Sequence, residues 1–389
     1  MTQTTAMKRT AVSSGHLLMA LELSASEWRL VLGDGRSRAR REVTVKAGDR
    51  DGLKKEISKA KSKLGLPGQC PVRSCYEAGR DGFWIHRMLG ELDIENIVVD
   101  SSSILVSRQL RRAKTDHLDG YALHDMLARY EAGETGVWKV VTVPTSEEED
   151  ARRTHRERER LLKERGAHQA RVKSLVALCG ARVSDVRRAD FEKLRQWDGT
   201  PLPPELKAEL KREQARHLLT QQQLDELEKE QSKRVKQAVA DASAGKLPIK
   251  NSLDRVLMLM ALYGVGEVSA WVLAHELFWR RFDNRREVAS ATGLTPTPYN
   301  SGGCTREQGI SKAGSPLLRK LLIELAWGWL RYQPQSKVSR WFQERFASGG
   351  SRMRRIGIVG VARRLVVDLW RYVETGVLPP NAIVRCENP

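Results

Sequence analysis

Cysteine is scarce in this chain of 389 residues, and what there is stands badly spaced for chemistry. The five cysteines, Cys70, Cys75, Cys179, Cys304 and Cys386, are odd in number and form no C-x-x-C pair. Neither a disulfide framework nor a zinc knuckle is supported, and a reducing, cytoplasmic setting with free thiols is expected. Long apolar runs are missing as well. Nothing approaches the ~20 residues of a membrane span. The apolar run Leu17 to Leu21 behind Lys8 and Arg9 is cut short by Glu22, so no secretory signal is expected. No tandem repeat is visible. Negative charge is also in deficit, with 48 Asp and Glu against 67 Lys and Arg.

That deficit leaves a formal net charge of +19 and a sequence pI near 9.9. Such a surface attracts polyanions through counterion release, and a nucleic acid is the partner it suits best, ahead of an anionic membrane. The excess is densest over 251–389, which carries 20 basic and 11 acidic residues, so the main phosphate contacts are expected there.

The apolar pattern divides the chain into 1–145, 146–250 and 251–389. Residues 16–23 and 27–33 are short apolar runs parted by Ser24-Ala25-Ser26 and predict a hairpin, and 41–46 alternates as a third strand. A helix over 51–64, a strand over 71–78, a helix over 82–92, a strand over 95–100 and a helix over 115–130 follow. This βββαβαβα order predicts an α/β domain built on one central sheet. The middle segment alternates charges of both signs around a sparse stripe, Leu206, Leu210, Leu224, Leu227, Val235 and Val239. A coiled-coil arm is expected there. The last segment is expected to be all-α. Leu262-Tyr263-Gly264-Val265-Gly266 resembles a helix-hairpin-helix turn, with Gly264 and Gly266 able to bring backbone N–H groups close to phosphate. The Pro-, Gly- and Asn-rich stretch 295–303 predicts a loop running into a basic linker. Ser315-Pro316 then starts a helix over 317–330, and closing helices are expected at 337–346 and 358–375.

Four carboxylates stand out against the basic background. Glu22 and Glu77 interrupt apolar strands, where a charge needs a reason. Asp116 and Asp119 are three apart at the start of a helix, and so share a face. Hard oxygen ligands of this kind suit Mg²⁺ and in-line phosphoryl chemistry. His117, between the aspartates, is expected to face solvent.

The order of these motifs resembles the DEDD transposases of bacterial insertion sequences, the class that works as bridge-RNA-guided serine recombinases. The resemblance lies in Ala20-Leu21-Glu22-Leu23-Ser24, Cys75-Tyr76-Glu77-Ala78-Gly79, Ala113 to Asp119, Gly264-Val265-Gly266, Thr292 to Pro296 running into Asn300 to Gly303, and Ile310 to Gly314 followed by Leu317-Leu318-Arg319. These pieces span 16 to about 330 in the family's order. The resemblance implies an RNase-H-like (RuvC-like) first domain whose tetrad, Glu22, Glu77, Asp116 and Asp119, binds Mg²⁺. It also implies a C-terminal transposase domain whose nucleophile is Ser301, DNA as donor and target, a structured guide RNA, and a homo-oligomer, dimer or tetramer. One position departs from the pattern: the family's tetrad opens with Asp, where this chain has Glu22. The extra methylene moves the oxygens by ~1.5 Å, a displacement of the size that costs ~10²-fold in rate.

The residues around Ser301 agree with a nucleophile. Gly302-Gly303 beside it give little steric shielding, and Arg306, Lys312, Arg319 and Lys320 follow closely enough in sequence to stabilise a phosphorane-like transition state. Ser311 and Ser315 are rivals, although Ser315 has a capping role. Tyr76 and Tyr299 would suit a tyrosine recombinase, but the His and Arg constellation of such enzymes is not evident. Trp271, Trp279, Trp327 and Trp329 are expected to pack helices rather than stack on bases. A metal-dependent DNA junction nuclease using water, or a non-catalytic nucleic-acid-binding descendant of a transposase, are the alternative functions.

Overall fold

The computed structural model describes residues 15–37, 39–104, 116–243, 252–301 and 304–385. The chain divides into two compact units, Met1–Thr145 and Ser146–Pro389. The first is an α/β unit and the second is mostly helical.

Strands β1 (Leu17–Leu23), β2 (Glu27–Gly33) and β3 (Arg40–Lys46) form an antiparallel meander. Helix α1 (Arg50–Lys63), strand β4 (Val72–Glu77), helix α2 (Trp84–Glu91), strand β5 (Ile94–Val99) and helix α3 (Asp116–Glu131) follow. The sheet order is β3-β2-β1-β4-β5, with β4 and β5 parallel to β1. The run Leu17-Leu18-Met19-Ala20-Leu21 is apolar throughout because β1 is the central strand, covered on both faces. Leu17, Met19 and Leu21 pack with Leu53 and Ile57 of α1 and with Ile85 and Leu89 of α2. Leu18 and Ala20 pack on the other face with Leu123 and Leu127 of α3. Asp49 caps α1 by accepting the Gly52 N–H at 2.9 Å.

The second unit begins with α4 (Ser146–Asp150) and two long helices, α5 (Arg153–Leu178) and α6 (Pro204–Ser243). These run antiparallel, as Arg158 pairs with Glu228, His168 with Glu213 and Arg171 with Glu209, each at 2.7 Å. Buried positions on α6 recur every seven residues, at Leu210, His217, Leu224, Gln231 and Ala238. This is a coiled-coil spacing, with polar residues in the seam that favour one register over others. Val239, assigned to the stripe by sequence, is exposed instead, because a spacing of seven places its neighbour Ala238 inward.

Helices α7 (Ser252–Ala261) and α8 (Glu267–Val272) follow, α8 passing into a π-helical turn, Leu273–Leu277. After α9 (Arg285–Ala291) come strands β6 (Pro296–Ser301) and β7 (Cys304–Ile310), then α10 (Pro316–Tyr332), α11 (Lys337–Phe346) and α12 (Ser351–Thr375). Their shared core includes Trp271, Phe278, Leu322, Trp329, Leu365 and Leu369. Gly357 lets α11 cross α12 closely, since a Cβ there would fall 2.5 Å from Cγ of Phe346.

Two expectations need correction. The stretch 295–303 is not a loop followed by a linker: 296–310 carries an antiparallel ribbon in which Ser301 pairs with Cys304. Pro296 and Pro298 obscure it in sequence, yet both are tolerated because a two-stranded ribbon consists entirely of edges. The last helix also starts at Ser351 rather than 358, with Gly350 at its N-cap. No helix among the described residues is long and apolar enough to cross a membrane.

Candidate active site and nucleic-acid interface

Register brings two of the four acidic residues together. The last pair between β1 and β4 is Leu21 with Tyr76, so Glu22 and Glu77 each follow it by one residue on neighbouring parallel strands. Strands in a sheet lie about 4.8 Å apart, and matched positions share a face. That face is the one covered by α3, because Ala20 and Cys75, two residues earlier, pack with Leu123 and Leu127. Helix α3 runs antiparallel to β4. Glu131 near its C-terminus pairs with Arg73, and further up the Cys75 thiol reaches the Leu123 carbonyl at 3.9 Å. One helical turn beyond Leu123, about 6 Å, is Asp119; two residues beyond Cys75, also about 6.6 Å, is Glu77. The N-terminal end of α3 is therefore set over the strand ends that carry Glu22 and Glu77. Glu22 and Asp119 are half-buried and Glu77 is exposed.

The side chain of Asp116, which opens α3, lies outside the described residues, as does that of His117. Among the described residues no group of three His, Cys, Asp or Glu side chains is close enough to hold a metal. The donor chemistry nonetheless fits Mg²⁺, since the positions that converge here carry carboxylates only. One cation enters the picture. Arg29 is the cross-strand partner of Glu22, and it also pairs with Glu42 at 3.4 Å. Cys75 is fully buried, and burial first, then the nearby Glu77 charge, push its thiol far above its ordinary range, so it stays protonated. Tyr76 is fully buried with its hydroxyl on the Gly82 carbonyl at 3.2 Å, a packing role rather than that of a nucleophile.

In the second unit Ser301 is the last residue of β6. Its side chain, those of Tyr299 and Arg306, and the whole of Gly302 and Gly303 lie outside the described residues. The rival serines have structural tasks. The Ser311 hydroxyl accepts a hydrogen bond from Thr295 at 3.2 Å, and the Ser315 hydroxyl caps α10 by accepting the Leu318 N–H at 3.4 Å. Lys312 is exposed, with a positive φ of 55°. The Arg319 guanidinium donates to the carbonyls of Ala313 and Gly314, both at 3.2 Å, and Lys320 reaches Glu159 of α5 at 3.7 Å. Arg319 thus braces the loop in front of α10.

Gly293 locks the base of the ribbon. Its φ is +67°, and a Cβ would fall 1.9 Å from the Ala313 carbonyl oxygen. Around it the Ser311 N–H donates to the Thr295 carbonyl at 2.8 Å and the Lys312 N–H to that of Gly293 at 3.2 Å. Gly293→Ala combines a disfavoured backbone with a clash against main chain, and is expected to lower stability by at least about 2 kcal/mol. A denaturant titration of the full chain checks this; a change below about 0.5 kcal/mol would show that the loop relaxes freely.

The Leu262–Gly266 turn is held by residues 383–385 and by Gln333 at the end of α10. The Tyr263 N–H donates to the Ile383 carbonyl at 3.0 Å, Gln333 donates to the Tyr263 carbonyl at 2.7 Å, and Arg385 donates to the Val265 carbonyl at 2.9 Å. Gly264 has φ +90°, and a Cβ there would meet Tyr332 at 2.8 Å, so its absence of a side chain serves packing. Glu267 in the first turn of α8 adds negative charge where a phosphate would sit. Trp271, Trp279 and Trp329 are buried, while Trp327 is partly exposed with its edge on Phe342.

Two features escaped the sequence. One is a buried acid on the π-helical turn, Glu276, which binds His155 at 2.8 Å and Arg156 at 2.5 Å on α5. The other is a cleft of 1140 Å³ between α9, α11 and α12, rich in arginine. Both draw their residues from distant segments, so no local spacing reveals them.

Residues 257–339 match the model of a family described as Transposase IS116/IS110/IS902. The chain is similar to two proteins of Sinorhizobium fredii (strain NBRC 101917 / NGR234). With "Putative transposase y4rJ" it shares 40% identity over 383 residues, 96% of each chain. With "Putative transposase y4qE" it shares 29% over 266 residues, 68% of this chain and 60% of that one. A transposase for insertion sequence element IS1328, from Yersinia enterocolitica, is 34% identical over 82 residues, 20% of this chain and 25% of that one.

Proposed function

This chain belongs to the IS116/IS110/IS902 family of transposases, and from that membership we propose that it cleaves and rejoins DNA strands through a serine nucleophile assisted by Mg²⁺. The first unit is, on this reading, RNase-H-like; the strand order β3-β2-β1-β4-β5 with only β2 antiparallel to its neighbours supports it. The observation that carries most weight is the adjacency of Glu22 and Glu77 at the ends of paired strands, under the end of α3 that bears Asp119.

Glu22, Glu77, Asp116 and Asp119 would hold the metal. When bound, Mg²⁺ neutralises charge on a phosphodiester and favours ionisation of an attacking hydroxyl. Ser301 Oγ then forms a bond to phosphorus as the bond from phosphorus to one deoxyribose oxygen breaks. The serine proton passes to solvent, and the departing oxygen takes one up. The DNA end is left as a phosphoserine diester, which conserves the energy of the broken bond. A deoxyribose hydroxyl of another strand reverses the step and completes the exchange. Beyond DNA, the proposed partners are a structured guide RNA that pairs with donor and target, and further copies of the chain in a dimer or tetramer.

A covalent adduct tests the nucleophile. Full-length protein is incubated with Mg²⁺ and duplex carrying its element's end, then denatured and digested. A nucleotide mass on the peptide containing Ser301 is expected. Cleaved DNA with no protein-linked end would mean that water is the nucleophile.

A further inference from the structure

We propose that the cleft walled by α9, α11 and α12 holds the sugar-phosphate backbone of the DNA during strand exchange. The inference rests on the reading that the chain works on DNA, and adds where part of that DNA lies. Six cations line the cleft: Arg285 and Arg286 open α9, Lys337 opens α11, and Arg363, Arg364 and Arg371 stand along α12. Among the described residues none of the six has a carboxylate oxygen within 4.0 Å. The contrast with the helical arm is sharp, for there Arg158, His168 and Arg171 are matched one to one with glutamates. Six like charges gathered around a single carboxylate, Asp368, still repel one another, and a polyanion relieves the repulsion. Arginine forks also suit phosphate oxygens in pairs.

The dimensions agree. Arg363 and Arg371 are two helical turns apart, about 12 Å, a span of three to four nucleotides at about 3.4 Å each. Thr295 also lines the cleft and directly precedes β6. Ser301 is six residues on along the strand, within about 20 Å. A duplex seated in the cleft therefore passes close to the residue proposed to attack it. Arg364 is held over the Trp341 ring at 3.9 Å, so it enters the cleft already ordered. One carboxylate, Asp368, lines the same wall, and burial pushes its pKa up against the pull of Arg371, Lys337 and Arg364. A residue that opposes the ligand's charge offers a control of opposite sign.

The test measures equilibrium binding of the full chain to a fluorescent duplex of arbitrary sequence across a salt series. Arg363→Gln with Arg371→Gln is one variant, and Arg285→Gln with Arg286→Gln the other. Each wall is tested separately, so a folding defect in one leaves the other to decide. Each double variant is expected to bind DNA about 10-fold more weakly and to lower the slope of log K against log[salt] by about 1 to 2. Asp368→Asn is expected to bind more tightly. A structured RNA titrated in parallel is expected to keep its affinity. Unchanged DNA affinity and slope in a folded double variant would overturn the proposal, and so would a loss confined to RNA. Because the readout is binding, a chain inactive in strand exchange reports just as well, and failure of the catalytic reading is seen apart from failure of this one.

Discussion

Glu77→Gln is expected to lower Mg²⁺-dependent strand cleavage by about 10³-fold while leaving DNA affinity and thermal stability nearly unchanged. The stability half follows from position. Glu77 is the exposed last residue of β4, and glutamine keeps its shape and the ladder to Val99. The activity half follows from charge. Losing a ligand oxygen beside a phosphodiester removes about 4 kcal/mol of transition-state stabilisation, which is about three decades in rate. Asp119→Asn should behave alike, and both should lose the Ser301 adduct. Glu22→Asp is the instructive converse. If the longer side chain sets the oxygens back, shortening it should raise the rate by up to about 10²-fold. Should Glu77→Gln keep wild-type cleavage, the acidic site would fall and the paired glutamates would be surface residues. Mixing Ser301→Ala with Asp119→Asn chains adds a test of assembly, since an oligomer that shares its groups between copies recovers activity that neither protein has alone.

The first unit was legible because its signals are local and repeated. β1 reads as a central strand from five consecutive apolar residues, and Glu22 announces itself by breaking that run, while Glu77 closes the strand behind Cys75 and Tyr76. What periodicity does not supply is register, and register is what turns two interruptions into neighbours. The second unit was harder. Proline and glycine in 295–303 hide a ribbon, because propensity describes central strands and this one has only edges. Gly357 and Gly360 sit near the start of α12, at the places where Phe346 and Trp341 approach it. The cleft arginines belong to three helices. The sign available in sequence was the spacing of Arg363, Val367, Arg371 and Thr375, which puts two cations on one stripe of a helix otherwise read for its apolar side.

Glu276→Ala is expected to cost the second unit about 3 to 5 kcal/mol, the loss typical of breaking a buried ion pair by removing one partner. Glu276 is only 6% exposed at its side chain, and so is His155 at 1%. The carboxylate takes His155 Nε2 at 2.8 Å on one oxygen, and both oxygens take the Arg156 guanidinium, at 2.5 and 3.1 Å. Burial works to raise its pKa, but the hydrogen bonds from His155 and Arg156 prevail and hold it at about 2. Arg152 and Arg280 are also near enough to feel its charge, so alanine would leave a cluster of positive groups with only Glu149 nearby to offset them. The pH dependence follows. The folded value is depressed below the ordinary 4.5, so this contribution is fully present above about pH 4.5 and is lost as pH falls toward 2. From 4.5 to about 2 it amounts to about 3 kcal/mol. The stability gap between wild type and Glu276→Ala, taken by denaturant titration from pH 7 down to pH 3, should therefore narrow by about 2 kcal/mol at the acid end. Curves that remain parallel would show that the carboxylate's charge contributes nothing and that alanine's cost is packing alone. The contact joins the base of the long arm to the π-helical turn of the core, so its loss should also loosen α5 in hydrogen exchange before the ribbon bearing Ser301 is affected.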